Sequence, residues 1–358
     1  MATKMELADL ELLDAPADDT QRVAVLEAPG RMSLSWAKIP EPGPGEVRVK
    51  IKYVGICGSD VEAYRGTRRP EFMSMPARLG HEVAGTIDAI GPGVGGLQLG
   101  DRVACRYVWG AFAQYIICRP FNVKVVPPSM PMKEVSLIEV LPGVIHAADL
   151  AEITPSKHVL ITGQGVSGLV LTQVFSLCSP RSLVVTDLKE KNLELARRYG
   201  ATHAVRVPDP DTSTMRAIRS ELGDAYADGF DVVVPGLLEG EGMIDALDAL
   251  ATSGRIVMYG CIGVCHAPFD FFKLHRKRGS ILSTEPRSDR AMRDYFDRGV
   301  GLVSDGLVNT EEMITDILPL ERVQEAFALR DGSMSSESIH VLVDCENASD
   351  LARTRDAG

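Results

Sequence analysis

Two groups of residues in this 358-residue chain combine types and spacing that can do chemistry. The first is Gly163-Gln164-Gly165-Val166-Ser167-Gly168, which fits G-x-G-x-x-G. It ends one short apolar run, VLITG (159–163), and opens a stretch of helical length. Asp187, closing the next apolar run, lies 19 residues beyond Gly168, near the spacing of about 20 seen in dinucleotide folds. In such a turn Gly163 permits the tight reversal, Gly165 lets the backbone approach a pyrophosphate, and Gly168 lets helix and strand pack closely. The pyrophosphate then sits on the helix N-terminus at Val166. A carboxylate at Asp187 would bond the adenosine ribose hydroxyls and repel a 2′-phosphate, which predicts NAD rather than NADP. Lys189 and Lys191 read as the solvated face of a charged helix.

The second group is Gly55-Ile56-Cys57-Gly58-Ser59-Asp60 together with Gly80-His81-Glu82. These segments bring a thiolate, an imidazole and a carboxylate into glycine-flanked turns, a donor set that suits Zn²⁺. Cys57 and His81 are 24 residues apart, and no C-x-x-C occurs. Several other residues invite a functional reading but have a plainer one. His146 sits on an apolar stretch and reads as a core histidine. Cys261 and Cys265 read as structural thiols, and KLHRKR (273–278) as a solvated basic turn. Arg65, Arg68, Arg69 and Arg106 read as surface arginines, although their forks would suit an anionic substrate group.

These residues need elements to hold them. Residues 46–54 (EVRVKIKYV) alternate Val47, Val49, Ile51 and Tyr53 with Arg48, Lys50 and Lys52, the period of a half-buried strand. The turn-rich EPGPGE (41–46) and GPGVGG (91–96) bracket it, as short antiparallel strands require. From about residue 155 the rhythm changes to short buried runs alternating with helices: VLITG, a helix over 166–178, SLVVTD (182–187), and an amphipathic helix over 188–200 stopped by Gly200. THAVRV, FDVVV and RIVMYG follow as further strands, with EGMIDALDALATSG as a helical stretch between. That order predicts an α/β fold: a β-rich first part, then right-handed βαβ units forming a parallel sheet covered on both faces.

Composition sets the outer bounds. Lys and Arg total 38 against 49 Asp and Glu, a net charge of −11, which disfavours nucleic acid and anionic membranes as partners. No apolar run approaches the roughly 18 residues of a membrane span. The first 22 residues carry six acids and two bases without an apolar signal core. Seven scattered cysteines do not form a disulfide framework. Together these predict a soluble, cytoplasmic protein.

The segments VGICGSD, LGHEVAGTI, GDRVA, GAFAQYII, SLIEVL, GQGVSG, VVTD and GRIVMYG occur in an order that resembles the zinc-dependent medium-chain dehydrogenase/reductase superfamily, most of all its sorbitol (polyol) and threonine dehydrogenase branches. The likeness runs from about residue 22 to 345. It implies an acidic leader (1–21), a GroES-like catalytic domain (22–150), an inserted Rossmann domain (151–286) and a segment rejoining the catalytic domain (287–358), with the active site in the cleft between the domains. It implies Cys57 and His81 as zinc ligands. Glu139 falls where the polyol branch places a carboxylate, and Glu82 resembles the acid beside the metal that ligates it in some states, so the third ligand stays open between them. Asp60 matches an acid that orients the histidine, and Ser59 the hydroxyl that bonds the substrate oxygen. Glu62 stands where relatives often carry a histidine proton relay.

The four-cysteine lobe is missing, since only ACRYVW separates GDRV from GAFAQY. That implies one catalytic zinc per subunit and no structural zinc. The expected activity is hydride transfer between NAD(H) and a secondary alcohol or ketone of a polyhydroxylated small molecule. The expected assembly is a homodimer or homotetramer. A zinc-free quinone reductase and a non-catalytic nucleotide-binding protein are the alternatives on the same scaffold.

Overall fold

The computed structural model describes residues 11–69, 71–236, 238, 241–260, 268–284, 290–334 and 337–346. The chain divides into two compact units. One takes in the chain as far as Glu139 and again from Asn309, and the other is Val140–Val308.

In the first unit, the alternating run predicted over 46–54 forms the strand Val47–Gly55. Val47, Val49 and Ile51 face the core, while Arg48, Lys50 and Lys52 are half-buried. The alternation slips at Tyr53 because the pairing with Glu82–Ile90 shifts register between Ile51 and Tyr53, so that Val54 takes the buried position. This strand lies inside a mainly antiparallel sheet ordered Ile314–Pro319, His340–Asp344, Val47–Gly55, Glu82–Ile90, Arg102–Cys105, Val123–Val125. Tyr115–Cys118 pairs with its first half. Gly55 is opposite Glu82 on one side and Leu342 on the other. That register places Cys57, two residues past the strand, beside the His81–Glu82 turn.

Upstream, Leu12–Leu13, Thr20–Ala28 and Arg31–Lys38 form a three-stranded antiparallel sheet. The described part of the expected leader thus contributes strand residues.

The second unit holds a six-stranded sheet, ordered His203–Arg206, Ser182–Asp187, His158–Thr162, Phe230–Val234, Leu250–Met258, Ser280–Ser283. Every neighbouring pair is parallel. Numbered along the chain, this is the 3-2-1-4-5-6 order of doubly wound dinucleotide folds. Its helices include Val166–Leu177, Glu190–Arg198, Thr214–Leu222 and Glu241–Ala249. Two expected helices are shorter than predicted. The one expected over 188–200 spans Glu190–Arg198, with Gly200 at φ +101° beyond it. The other ends at Ala249, where Lys277 Nζ donates to the carbonyls of Leu247, Asp248 and Leu250, and the chain continues as a strand.

The units change at 139/140 and 308/309, whereas the sequence reading put the joins at 150/151 and 286/287. Helices Leu141–Ala151 and Arg290–Ser304 account for the difference. They belong to the second unit and are linked by the Arg298–Asp149 ion pair at 3.0 Å.

Candidate active site

Cys57 caps the N-terminus of helix Gly58–Arg65. Its backbone N–H donates to Asp60 Oδ2 at 3.0 Å, while Asp60 Oδ1 accepts the Gly80 N–H at 3.0 Å. Asp60 is fully buried, so this one carboxylate ties the Cys57 loop to the His81 loop. His81 Nδ1 lies 3.5 Å from Asp60 Oδ2, longer than a hydrogen bond, so the acid's main partners are the two backbone N–H groups rather than the imidazole. The Trp109 ring packs against the His81 ring, tilted by 47°, with centroids 4.2 Å apart.

Cys57, His81 and Glu82 each offer a donor atom, and these atoms all lie within 4.8 Å of one another. No other such group of three occurs among the described residues. Burial lowers the His81 pKa, but Asp60 and Cys57 outweigh it and hold the pKa well above its usual value. Burial pushes the Cys57 thiol up, and Glu82 adds to that. Burial also pushes the Glu82 carboxyl up to about 7, with His81 opposing and Glu139 and Asp60 reinforcing. A cation among these three groups would stabilise the thiolate and the carboxylate that burial disfavours. The buried Oγ of Ser59 and Oε2 of Glu82 have no hydrogen-bond partner. Thiolate, imidazole and carboxylate in one cluster, two of the three residues buried, fit zinc.

The fourth expected donor does not join them. Glu139 is held by Arg106, whose Nη1 lies 3.4 Å from Glu139 Oε1 and also donates to the Glu139 carbonyl. Arg106 is itself buried and is therefore neither a surface arginine nor a free fork for a substrate anion. Of the other arginines, Arg65 donates to the Asp331 carbonyl at 2.7 Å, and Arg68 pairs with Glu62 at 3.3 Å. Arg68 also lies 5.7 Å over the Trp109 ring. Glu62 is thus in an ion pair at the position of the family's relay. Cys105 and Cys118 are buried with their sulfurs 3.9 Å apart.

The glycine turn takes the expected form. Gly163 adopts φ +79°, a Cβ on Gly168 would lie 2.0 Å from the Gly163 carbonyl oxygen, and Gly165 faces open space. No side chain caps the helix that begins at Val166, so its first N–H groups remain available to an anion. Asp187 Oδ2 accepts the Gln164 N–H at 2.6 Å, and Oδ1 accepts from the Lys189 N–H at 2.7 Å and Asn192 Nδ2 at 3.3 Å. The carboxylate is therefore fixed beside the turn. Gln164, which the motif leaves unspecified, is fully buried and accepts from Thr172 Oγ1 at 2.8 Å. Lys189 and Lys191 are exposed, as expected of a solvated face.

His146 packs on Tyr295 at 5.3 Å between ring centroids. KLHRKR, expected as a turn, instead forms most of helix Phe271–Lys277, where Lys273 pairs with Asp248 and Lys277 caps the preceding helix. Cys261 and Cys265 lie outside the described residues. Sequence reasoning missed Trp109 and the hold of Arg106 on Glu139. It also missed His340, whose Nε2 is 3.4 Å from Glu82 Oε2. Burial, with the Arg330 charge, pushes the His340 imidazole down to about 3.

Comparison with known proteins agrees with this architecture. Residues 43–128 match the alcohol dehydrogenase GroES-like domain, and residues 168–298 match the zinc-binding dehydrogenase domain. The chain is 27% identical to the sorbitol dehydrogenase of Bacillus subtilis (strain 168) over 351 residues, 90% of this chain and 96% of that protein. It is 32% identical to the L-threonine 3-dehydrogenase of Francisella tularensis subsp. mediasiatica over 269 residues, 65% of this chain and 75% of the relative. Two solved structures share the fold. A short chain alcohol dehydrogenase of Escherichia coli CFT073, complexed with NADH, has a TM-score of 0.75 at 23% identity, covering 91% of this chain and 99% of that one. A proposed zinc-binding dehydrogenase of Sinorhizobium meliloti 1021, bound to NADP, has a TM-score of 0.78 at 22% identity, covering 91% and 99%.

The chain is an oxidoreductase of the alcohol dehydrogenase class, built from a GroES-like and a Rossmann-type part. It belongs to the zinc-type medium-chain dehydrogenase/reductase family.

Proposed function

We propose that this protein is a zinc-dependent NAD(H) dehydrogenase acting on a secondary alcohol, or its ketone, in a polyhydroxylated small molecule such as a sugar alcohol or cyclitol. The observation that carries this reading is the convergence of half-buried Cys57 with buried His81 and Glu82. Zinc there would polarise a hydroxyl or carbonyl oxygen, and the nicotinamide would take up or deliver the hydride. Cys57, His81 and Glu82 hold the metal, and Asp60 keeps their two loops together. Ser59, with its unpartnered Oγ, accepts the alcohol proton and passes it outward. The turn from Gly163 to Gly168 and the N-terminus at Val166 bind the pyrophosphate, and Asp187 binds the adenosine ribose. The preference for NAD rests on Asp187, since the fold neighbours include both an NADH and an NADP complex.

The sorbitol and threonine dehydrogenase relatives support an alcohol carbon flanked by polar groups. Arg106 being engaged removes one candidate contact for an anionic substrate and favours a neutral polyol. We also propose one zinc per chain, a cytoplasmic location and a homo-oligomer. The described cysteines are free thiols, and no described helix is long and apolar enough to cross a membrane. Among the described residues, strand Ser280–Ser283 ends the parallel sheet, an edge that would suit pairing with a second copy.

Metal analysis combined with a screen for NAD reduction over polyols, cyclitols and amino alcohols tests the reading. The expected result is zinc-dependent turnover of a polyol with NAD. A zinc-free preparation that reduces quinones, or a chain with no turnover on any alcohol, overturns it.

A further inference from the structure

Strand His340–Asp344 runs antiparallel to Val47–Gly55, and Glu82–Ile90 pairs with the same strand on its other edge. Gly55 therefore lies between the neighbours that carry His340 and Glu82. A Cβ on Gly55 would lie 2.1 Å from Glu82 Oε2 and 2.7 Å from both Cε1 and Nε2 of His340. The absence of a side chain there is what lets the two groups meet.

Both are almost wholly buried, with side-chain exposures of 1% for His340 and 2% for Glu82. Neither Glu82 Oε2 nor either ring nitrogen of His340 has a hydrogen-bond partner. Buried polar atoms are almost always hydrogen-bonded, because leaving one unpaired forfeits its hydration with nothing in return, so such atoms call for a partner. His340 Nε2 and Glu82 Oε2 are 3.4 Å apart, just beyond the 2.7–3.2 Å range of an N–H···O bond. Closing that gap satisfies a donor and an acceptor at once. Glu82 also offers a carboxylate oxygen within 4.8 Å of the Cys57 and His81 donor atoms, so it connects His340 to the metal-binding cluster.

We propose that His340 is a positioning residue: its Nε2–H binds Glu82 Oε2 and so orients the carboxylate toward the metal held with Cys57 and His81. The inference rests on the reading of those three residues as the zinc site. A carboxylate ligand is commonly fixed by a hydrogen bond from behind, and losing such a partner typically weakens metal binding 10- to 100-fold. Among the described residues, His340 is not one of the group whose donor atoms all lie within 4.8 Å of one another, so it stands outside the ligand set.

The test is the zinc dissociation constant of the full chain, measured by competition with a chromogenic chelator, alongside thermal unfolding of the zinc-free protein. His340→Ala should weaken zinc binding about 10- to 100-fold. His340→Gln, whose amide can still donate, should stay within a few-fold of wild type. In a Glu82→Gln background, His340→Ala should cause no further loss, which a purely structural role would not predict. If His340→Ala fails to fold, His340→Leu fills the space without a donor and replaces it in the same comparisons. Wild-type zinc affinity in the donor-free variant overturns the proposal. So does a loss in His340→Gln equal to that in the donor-free variant, or an undiminished loss in the Glu82→Gln background. Failure of the wild type to bind zinc overturns the site reading instead.

Discussion

At the scale of residues, the site depends on one carboxylate holding two loops. Asp60 accepts N–H groups from both Cys57 and Gly80, and Asp60→Ala leaves both donors unpaired, the Gly80 one buried and the Cys57 one half-buried. At about 1–3 kcal/mol for each lost partner, the variant should unfold at lower temperature even without metal, which calorimetry will show. The ligands behave differently. Cys57→Ser or His81→Ala should abolish turnover while NADH binding by the glycine-turn unit, read by fluorescence, persists. Retained activity in a zinc-depleted variant would contradict the mechanism. Asp187→Ser should shift the NADP-to-NAD preference by about tenfold, or ~1.4 kcal/mol. It should also weaken NAD binding, because the carboxylate anchors Gln164 and Lys189 as well. A wild type that uses NADP as well as NAD would remove the basis of that prediction.

At the scale of elements, the strand over 46–54 and the strand–turn–helix around Gly163 were legible because each signal is local: a period of two, and a turn only glycines can make. The joins between units were not. Helix Leu141–Ala151 packs with Arg290–Ser304, far along the chain, and nothing near residue 141 announces that partner. Their ion pair gives a pH prediction. Burial raises the Asp149 pKa, but bonds from Arg298 and Tyr295 outweigh it and leave the carboxyl below its usual value. A lowered carboxylate pKa contributes stability above the unfolded-state value near 3.9 and loses it as pH falls through the folded-state value. Asp149→Asn should therefore be less stable than wild type at neutral pH, by no more than about 1 kcal/mol for so exposed a pair. The difference should close as pH drops below about 4 in denaturant titrations. A gap that widens in acid would contradict the assignment.

For the whole molecule, the candidate site was legible in residue types but not in their grouping. Cys57 and His81 stand out beside their glycines, and a resemblance carries a residue type from position to position. It does not carry neighbours. Nothing in SLIEVL shows that Arg106 engages Glu139, and nothing in IHVLVD shows that His340 arrives beside Glu82, because the sheet pairing that does this joins opposite ends of the chain. The same tertiary closeness brings Cys105 and Cys118 to 3.9 Å, a pair too small for a closed four-thiolate zinc site. One zinc per chain should remain after exhaustive dialysis, and a value near two would reveal a second site.

The most direct test of the central claim is anomalous diffraction at the zinc edge from crystals of the zinc-loaded protein. The account predicts a single strong peak about 2.3 Å from Cys57 Sγ and about 2.0–2.2 Å from a His81 nitrogen and a Glu82 oxygen. A peak at Cys105 and Cys118, or none at Cys57, would contradict it.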